Sequence, residues 1–252
     1  MRTLFAIYRR HARHLAGLGP TGLLALLWLS APGLLGLYLL YELGAISAWL
    51  RGLGPAGWFT YAAIFLVMSG LGLLPTTAQA ILGGWVFGPW KGLAAALVAF
   101  GGAAAIGFLV THTIAGDRIR KLLESRAEAR AIRDALIGRG FWRTTGMIAL
   151  LRIPPQSPFA FTNLVMVGCG APLVPFVLGT ILGLLPRTVL IMGAAHAAAM
   201  TGAEDIQSFV TQGPGWGVAV AGVAAVLAVL AVITAISRKA LAGLNVDPAA
   251  IR

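Results

Sequence analysis

The apolar positions of this chain fall in long unbroken runs rather than in narrow stripes. Such runs cover residues 21–41, 57–74, 91–115, about 144–170, about 172–195 and 216–236. Runs of about 20 apolar residues match the thickness of a bilayer core and predict membrane-crossing helices. Polar positions concentrate between them. The 116–143 segment holds eight basic and four acidic residues, with Ile119, Leu122, Leu123, Ile132, Leu136 and Ile137 at helical spacing. That pattern predicts one or two amphipathic helices on a membrane surface. Residues 42–56, with Trp49, Arg51, Gly54 and Pro55, read as a short interfacial loop.

Two of the apolar runs are broken. The first break is "LPTTAQAILGGWVFGPWKG", residues 74–92, with Pro75 at its start, Gly83 and Gly84 inside, and Gly88-Pro89 near its end. Its apolar part is too short for a full span, and a turn at Pro75-Thr76-Thr77 between two half-helices fits it better. The second is "LRIPPQSPFAFTN", residues 151–163, which places Arg152, Pro154, Pro155, Gln156, Pro158 and Asn163 inside an otherwise apolar stretch. A further interruption is expected at Pro186-Arg187. The landmarks Pro75 and Gly88 reappear at Pro155 and Gly168, and each set leads into a span.

Composition turns this pattern into a class. Hydrophobic residues make up 58% of the chain and charged residues 11%, which is the balance of a polytopic membrane protein and not of a water-soluble domain. The formal net charge is +11, and the cations flank the apolar runs. Basic flanks without interleaved aromatics fit the positive-inside bias and exclude nucleic-acid recognition. Cys169 is the single cysteine, so an intrachain disulfide and a cysteine metal cluster are excluded. His112 and His196 stand at opposite ends of spans, and no metal or cofactor is expected. The first run is long enough to cross the bilayer and reads as an anchor, not as a cleaved leader.

Charge also constrains the topology. If residues 57–90 and 144–170 each return to the side they entered, the N-terminus, the basic segment 116–143 and the C-terminus share the cytoplasmic side. The loop 196–215, with Glu204 and Asp205 and no lysine or arginine, is then external. Two full short spans over 57–90 would give the same parity. Hairpins entering from opposite sides make an inverted repeat, an architecture common among transporters.

The run "RIPPQSPFAFTNLVMVG", with "FVLGTILGLLP" and "MGAAHA" after it, resembles the second half of the VTT-domain family, the DedA-like or SNARE-associated Golgi proteins. Arg152, Pro155, Pro158-Phe159, Asn163, Gly168, Gly179-Thr180, Gly183 and Pro186 carry the likeness. Pro75, Gly83-Gly84, Phe87-Gly88 and Trp90-Lys91-Gly92 carry it in the first half. The chain departs from the family pattern at Leu164 and at Thr111-His112-Thr113, and the acidic residues that some branches use for proton coupling are not evident. The resemblance implies opposed re-entrant helices and a role in moving lipids or lipid-linked carriers between leaflets, or in membrane homeostasis.

The fold expected is therefore an all-α integral membrane protein: two oppositely oriented re-entrant helical hairpins in an inverted repeat, flanked by transmembrane helices. Residues 1–20 form a basic cytoplasmic N-terminus, and 21–56 the first span and loop. Residues 57–195 form the VTT-like domain, and 196–252 an external loop, a last span and a cytoplasmic tail. The expected location is a bacterial cytoplasmic membrane. Arg152 lies about nine residues, or roughly 14 Å, into its run at 1.5 Å per residue. Arg187 lies roughly 22 Å into its own. Deep arginines are costly and mark a site or a pathway.

Guanidinium groups match a phosphate in bidentate fashion, so Arg152, Arg187, Asn163, Gln79 and Gln156 are the candidate headgroup-binding residues. The alternative is that they satisfy carbonyls freed by the breaks, or that the arginines snorkel. Pro75, Pro154, Pro155, Pro158, Gly83, Gly84, Gly88 and Gly168 are the candidate break residues. Membrane lipids with anionic phosphate headgroups are the expected partners, and the glycine-rich faces leave room for a homo-oligomer. No HExxH, GxSxG or Walker sequence is present, so an enzyme is not expected. The competing reading is a homeostasis or assembly scaffold without transport.

Overall fold

The computed structural model describes residues 20–124, 140–153, 159–212 and 216–242. Among these residues the chain is helical throughout, with no strand. The helices are α1 (Pro20–Tyr41), α2 (Leu43–Gly52), α3 (Pro55–Gly70), α4 (Thr76–Glu124), α5 (Phe141–Arg152), α6 (Phe159–Gly168), α7 (Leu173–Ala199), α8 (Ile206–Gln212) and α9 (Trp216–Ala242).

Residues 42–56, read as a loop, contain α2. Its axis turns 73° from that of α1 at Glu42. Leu43, Ser47 and Leu50 recur at helical spacing and are its buried face. The glycine and proline that looked like loop residues cap its end and start α3: Gly54 has φ +55 and Pro55 opens the next helix, where a proline lacks no needed N–H.

The first break also differs in detail from its expectation. Thr76 and Thr77 are helical, and the chain turns over residues 71–75 instead. Gly72, with φ +75, closes α3: the Leu73 N–H donates to the Met68 carbonyl at 2.8 Å and the Gly72 N–H to Ser69 at 3.0 Å, a Schellman cap. Pro75 then precedes α4, and its ring packs where a Cβ on Gly36 of α1 would stand, 2.6 Å from Cγ.

Helix α4 is two arms. Gly88 has φ +74 and ψ −179, and Pro89 follows it. A straight helix would place Gly83 and Gly92 about 13 Å apart. Here a Cβ on Gly92 would come 2.6 Å from the Gly83 carbonyl oxygen, so arm 89–124 doubles back on arm 76–87. Gly83 and Gly84 lie inside the first arm and do not break it. Glycine at 84 permits backbone contact, because a Cβ there would lie 2.5 Å from the Met192 carbonyl oxygen.

The second half repeats the order. A helix (α5), a gap, a short helix (α6), a left-handed glycine, a proline and a long helix (α7) follow one another, as α3, the turn, 76–87, Gly88, Pro89 and 89–124 do. The turning glycine is Gly170, φ +85, not Gly168, which ends α6. Gly170 carries the same cap as Gly72, with the Ala171 N–H donating to Met166 at 3.1 Å. Pro154, Pro155, Gln156 and Pro158 lie outside the described residues. So do residues 1–19, most of the basic segment and the C-terminal tail. Its first part, 116–124, continues α4 without a break.

Helix α7 is the element along which two shorter arms are laid. It runs through Pro186 uninterrupted. The proline removes one hydrogen bond, to the carbonyl of half-exposed Leu182, and the Thr188 hydroxyl donates to the Leu184 carbonyl at 2.8 Å on the next turn. Helix α5 lies along its first half. A Cβ on Gly179 would meet the Thr145 carbonyl oxygen at 2.7 Å, and one on Gly183 would meet the Arg152 Cβ at 2.6 Å. The 76–87 arm lies along its second half, Gly84 against Met192 and Gly88 against His196. The other α4 arm crosses between, with Gly70 of α3 on Ile106 and Ala103.

Among the described residues, three buried clusters tie the bundle together. One joins α1–α3 to the 76–87 arm through Leu43, Leu50, Tyr61, Phe65, Leu82 and Trp85. The second sets Phe100 against Leu184 and Met192. The third packs Ala104, Ile148, Met166 and Phe176.

Candidate functional site

Two half-length arms laid along α7 must end near its middle. Helix α5 ends at Arg152 after 12 residues, and the other arm begins at Thr76. At 1.5 Å per residue each reaches about 17–18 Å from its outer end. The two lengths together roughly span a hydrocarbon core of about 30 Å. The outer ends carry the exposed Trp142 and Trp90, residues suited to an interface.

Arg152 is 5% exposed. Its Cβ rests on Gly183, and its Nη2 donates a short hydrogen bond to the Oδ1 of Asn163 on α6. The guanidinium carbon lies 5.4 Å from the centroid of the Phe176 ring, a cation–π contact. As the last residue of α5, Arg152 also stands at the partly negative end of that helix. Asn163 is buried, and its amide fills the space left by the missing side chain of Gly107.

Arg187 comes from the middle of α7 and is partly buried. Its Nη2 donates to the Thr76 hydroxyl oxygen at 2.7 Å. Thr76 opens the 76–87 arm, so this cation sits at a helix start whose N–H groups lack intrahelical partners. Arg152 rests against Gly183, one helical turn before Arg187 on α7, so two like charges share one level of the bundle. The sequence places no Asp or Glu between residues 57 and 115 or between 144 and 200. The cluster therefore concentrates positive charge and donors at the level where the arms end, an arrangement able to hold an anion.

Gln79 lies three residues beyond Thr76 on the same helical face and is fully buried. The Tyr61 hydroxyl donates to its backbone carbonyl at 2.7 Å. Gln156 is outside the described residues. Of the candidate residues, Arg152 meets Asn163 and Arg187 meets Thr76, while Gln79 belongs to the same arm as Thr76. Phe176, Gly107 and Gly183 were not singled out as site residues. The signal for Gly183 was its spacing from Gly179, the small-xxx-small pattern of close helix contacts. Phe176 carried no signal beyond being apolar.

Helices Thr76–Thr113 and Leu173–Ala199 are long and apolar enough to cross a membrane, with mean hydropathy 2.3 and 1.9, and the bent pair Ser30–Tyr41 with Leu43–Gly52 is a third candidate. The chain is an integral membrane protein of all-helical type. Residues 74–197 match the family model of the VTT domain, and the chain belongs to the VTT-domain, DedA-like family. Neither the curated proteins nor the solved structures gave a match.

Proposed function

We propose that this protein moves a phosphate-bearing lipid, a phospholipid or a polyprenyl phosphate, between leaflets in the manner of a flippase or scramblase. The observation that carries the reading is the pairing of Arg152 and Arg187 where two half-length arms end, far from either end of α7. A buried cation is expensive in hydrocarbon, and two that repel each other are more so. An anion between them would offset both. The helix starting at Thr76 would add its partly positive end.

The repeated element order supports two re-entrant hairpins, and an inverted repeat would let the site open alternately to each side. Charge asymmetry supports a cytoplasmic location for both termini and a bacterial cytoplasmic membrane as the site of action. A scaffold without transport could use the bonds of Arg152 to Asn163 and of Arg187 to Thr76, but it would not need two cations of like charge at one level of the bundle.

The experiment is reconstitution into vesicles with fluorescent phospholipid and, in parallel, polyprenyl phosphate. Arg152→Ala and Arg187→Ala should each slow exchange between leaflets at least tenfold, with folded protein recovered in normal amount. Full translocation by Arg152→Ala at normal expression would sink the proposal.

A further inference from the structure

The Gln79 side chain is 0% exposed, and neither its amide nitrogen nor its amide oxygen has a hydrogen-bond partner. The Tyr61 hydroxyl beside it spends its proton on the Gln79 backbone carbonyl. Burying an amide with no partner is unfavourable. Its neighbours on the same helical face, Leu82 and Gly83, are buried and apolar, so an apolar side chain of similar length would suit the packing. The resting fold makes no hydrogen bond to the amide.

Its chemistry differs from that of the rest of the cluster. Arginine only donates hydrogen bonds. The Oδ1 of Asn163 already accepts from Arg152, and the Thr76 hydroxyl oxygen accepts from Arg187. The Gln79 Oε1 is an acceptor with nothing to accept. A phosphate satisfies the arginines but offers no proton to Gln79. A headgroup that carries an N–H or O–H next to its phosphate satisfies both.

We propose that Gln79 is a specificity-determining residue, and that its amide oxygen accepts a hydrogen bond from the headgroup of a phosphodiester lipid whose phosphate sits on the arginines. The preferred class is then a phospholipid with a small donating headgroup, such as ethanolamine or glycerol. Choline, which has the charge of ethanolamine but no N–H, is disfavoured. This rests on the lipid-translocation reading and adds to it the discrimination between headgroups.

The test uses the full chain in vesicles, with the fluorophore on an acyl chain so that the headgroup stays intact. Phosphatidylethanolamine, its N-methyl and N,N-dimethyl derivatives, and phosphatidylcholine form a series of constant net charge in which only the last lacks an N–H. The wild type should move the first three about tenfold faster than phosphatidylcholine, the effect of one buried hydrogen bond left unmade. Gln79→Met should move all four at similar rates, and its thermal midpoint should equal or exceed that of the wild type.

A wild type that moves lipids without this step, or a Gln79→Met variant that keeps it, overturns the specificity role and leaves translocation standing. A clear fall in the thermal midpoint of Gln79→Met shows that the amide is satisfied in the resting fold and also overturns it. A wild type that moves polyprenyl phosphate but none of the four overturns the specificity role alone, and one no faster than empty vesicles on all five lipids overturns both readings.

Discussion

Arg187 donates to the hydroxyl of Thr76 across 111 positions of sequence, and this bond joins the middle of α7 to the deepest turn of α4. It couples a residue of the second half to the break in the first. Thr76→Val should lower stability by about 1–3 kcal/mol, because it leaves a partly buried charged donor without its acceptor. Arg187→Met removes the charge together with the need for a partner, so adding Thr76→Val to it should cost little more. Thermal unfolding of the two single variants and the double variant in detergent measures that coupling. Equal, additive losses would show that the bond contributes nothing.

Glycine at 84 permits contact between backbones, and its substitution tests the packing of α4 on α7. Gly84→Val should destabilise by about 3 kcal/mol or prevent folding, since the obstructing atoms belong to the Met192 backbone and cannot rotate away. Gly193, one residue along α7, has nothing within 4 Å of its missing side chain. Gly193→Ala should leave the melting curve unchanged or raise it slightly, as alanine favours helix. The yield of monodisperse protein and its thermal midpoint report both outcomes.

Arg51 of α2 donates from Nη2 to the Trp85 carbonyl at 2.8 Å. The break at Gly88 deprives the last carbonyls of the 76–87 arm of helical partners, and a cation there also meets the negative end of the arm. Arg51→Ala should cost about 1–3 kcal/mol and speed hydrogen exchange over residues 82–90 before other helices respond. Uniform exchange across the bundle in Arg51→Ala would argue against a local cap.

Asp205 and Ser208 hold the start of α8. The Ser208 N–H donates to Asp205 Oδ1 at 2.6 Å and the Asp205 N–H to Ser208 Oγ at 3.0 Å. Hydrogen bonds from Ser208 keep the Asp205 carboxyl below its usual range. A depressed carboxyl stabilises the fold above its unfolded value, near 3.9, and that contribution disappears as pH falls through the lower folded value. Hydrogen exchange over 206–212, taken relative to the intrinsic amide rate at each pH, should therefore be slow at neutral pH and accelerate below about pH 4. In Asp205→Ala it should be fast at both.

Orientation can be read with thiol labelling in a Cys169→Ser background. Arg143→Cys, at the outer end of α5, and Thr201→Cys, just past α7, are exposed positions. In sealed inverted vesicles an impermeant maleimide should reach position 143 and not 201, with the reverse in intact cells. Labelling of both from one side would contradict the proposed topology.

Much of this was legible in the sequence, and the exceptions have physical causes. Pro75 and Gly88 marked real boundaries, because a ring without an N–H and a left-handed backbone leave compositional traces. Arg152 and Asn163 stood out because polar groups are rare in apolar runs, and their separation of 11 residues made a contact plausible. Pro186 was misleading, since a proline removes only one bond of a helix and α7 continues through it. Helix α2 was hidden by the glycine and proline at its end. The contact between Arg187 and Thr76 left no trace, as nothing in a linear pattern records which distant turns become neighbours.

The meeting point of the two arms lies about 20 Å from each end of α7. Under the proposed translocation, a headgroup held there has equal lengths of helix to travel either way. The depth of the meeting point alone sets no uphill side. Any preference for one leaflet must be imposed by lipid concentrations, by membrane voltage acting on the bound charge, or by the unequal outer ends of the bundle.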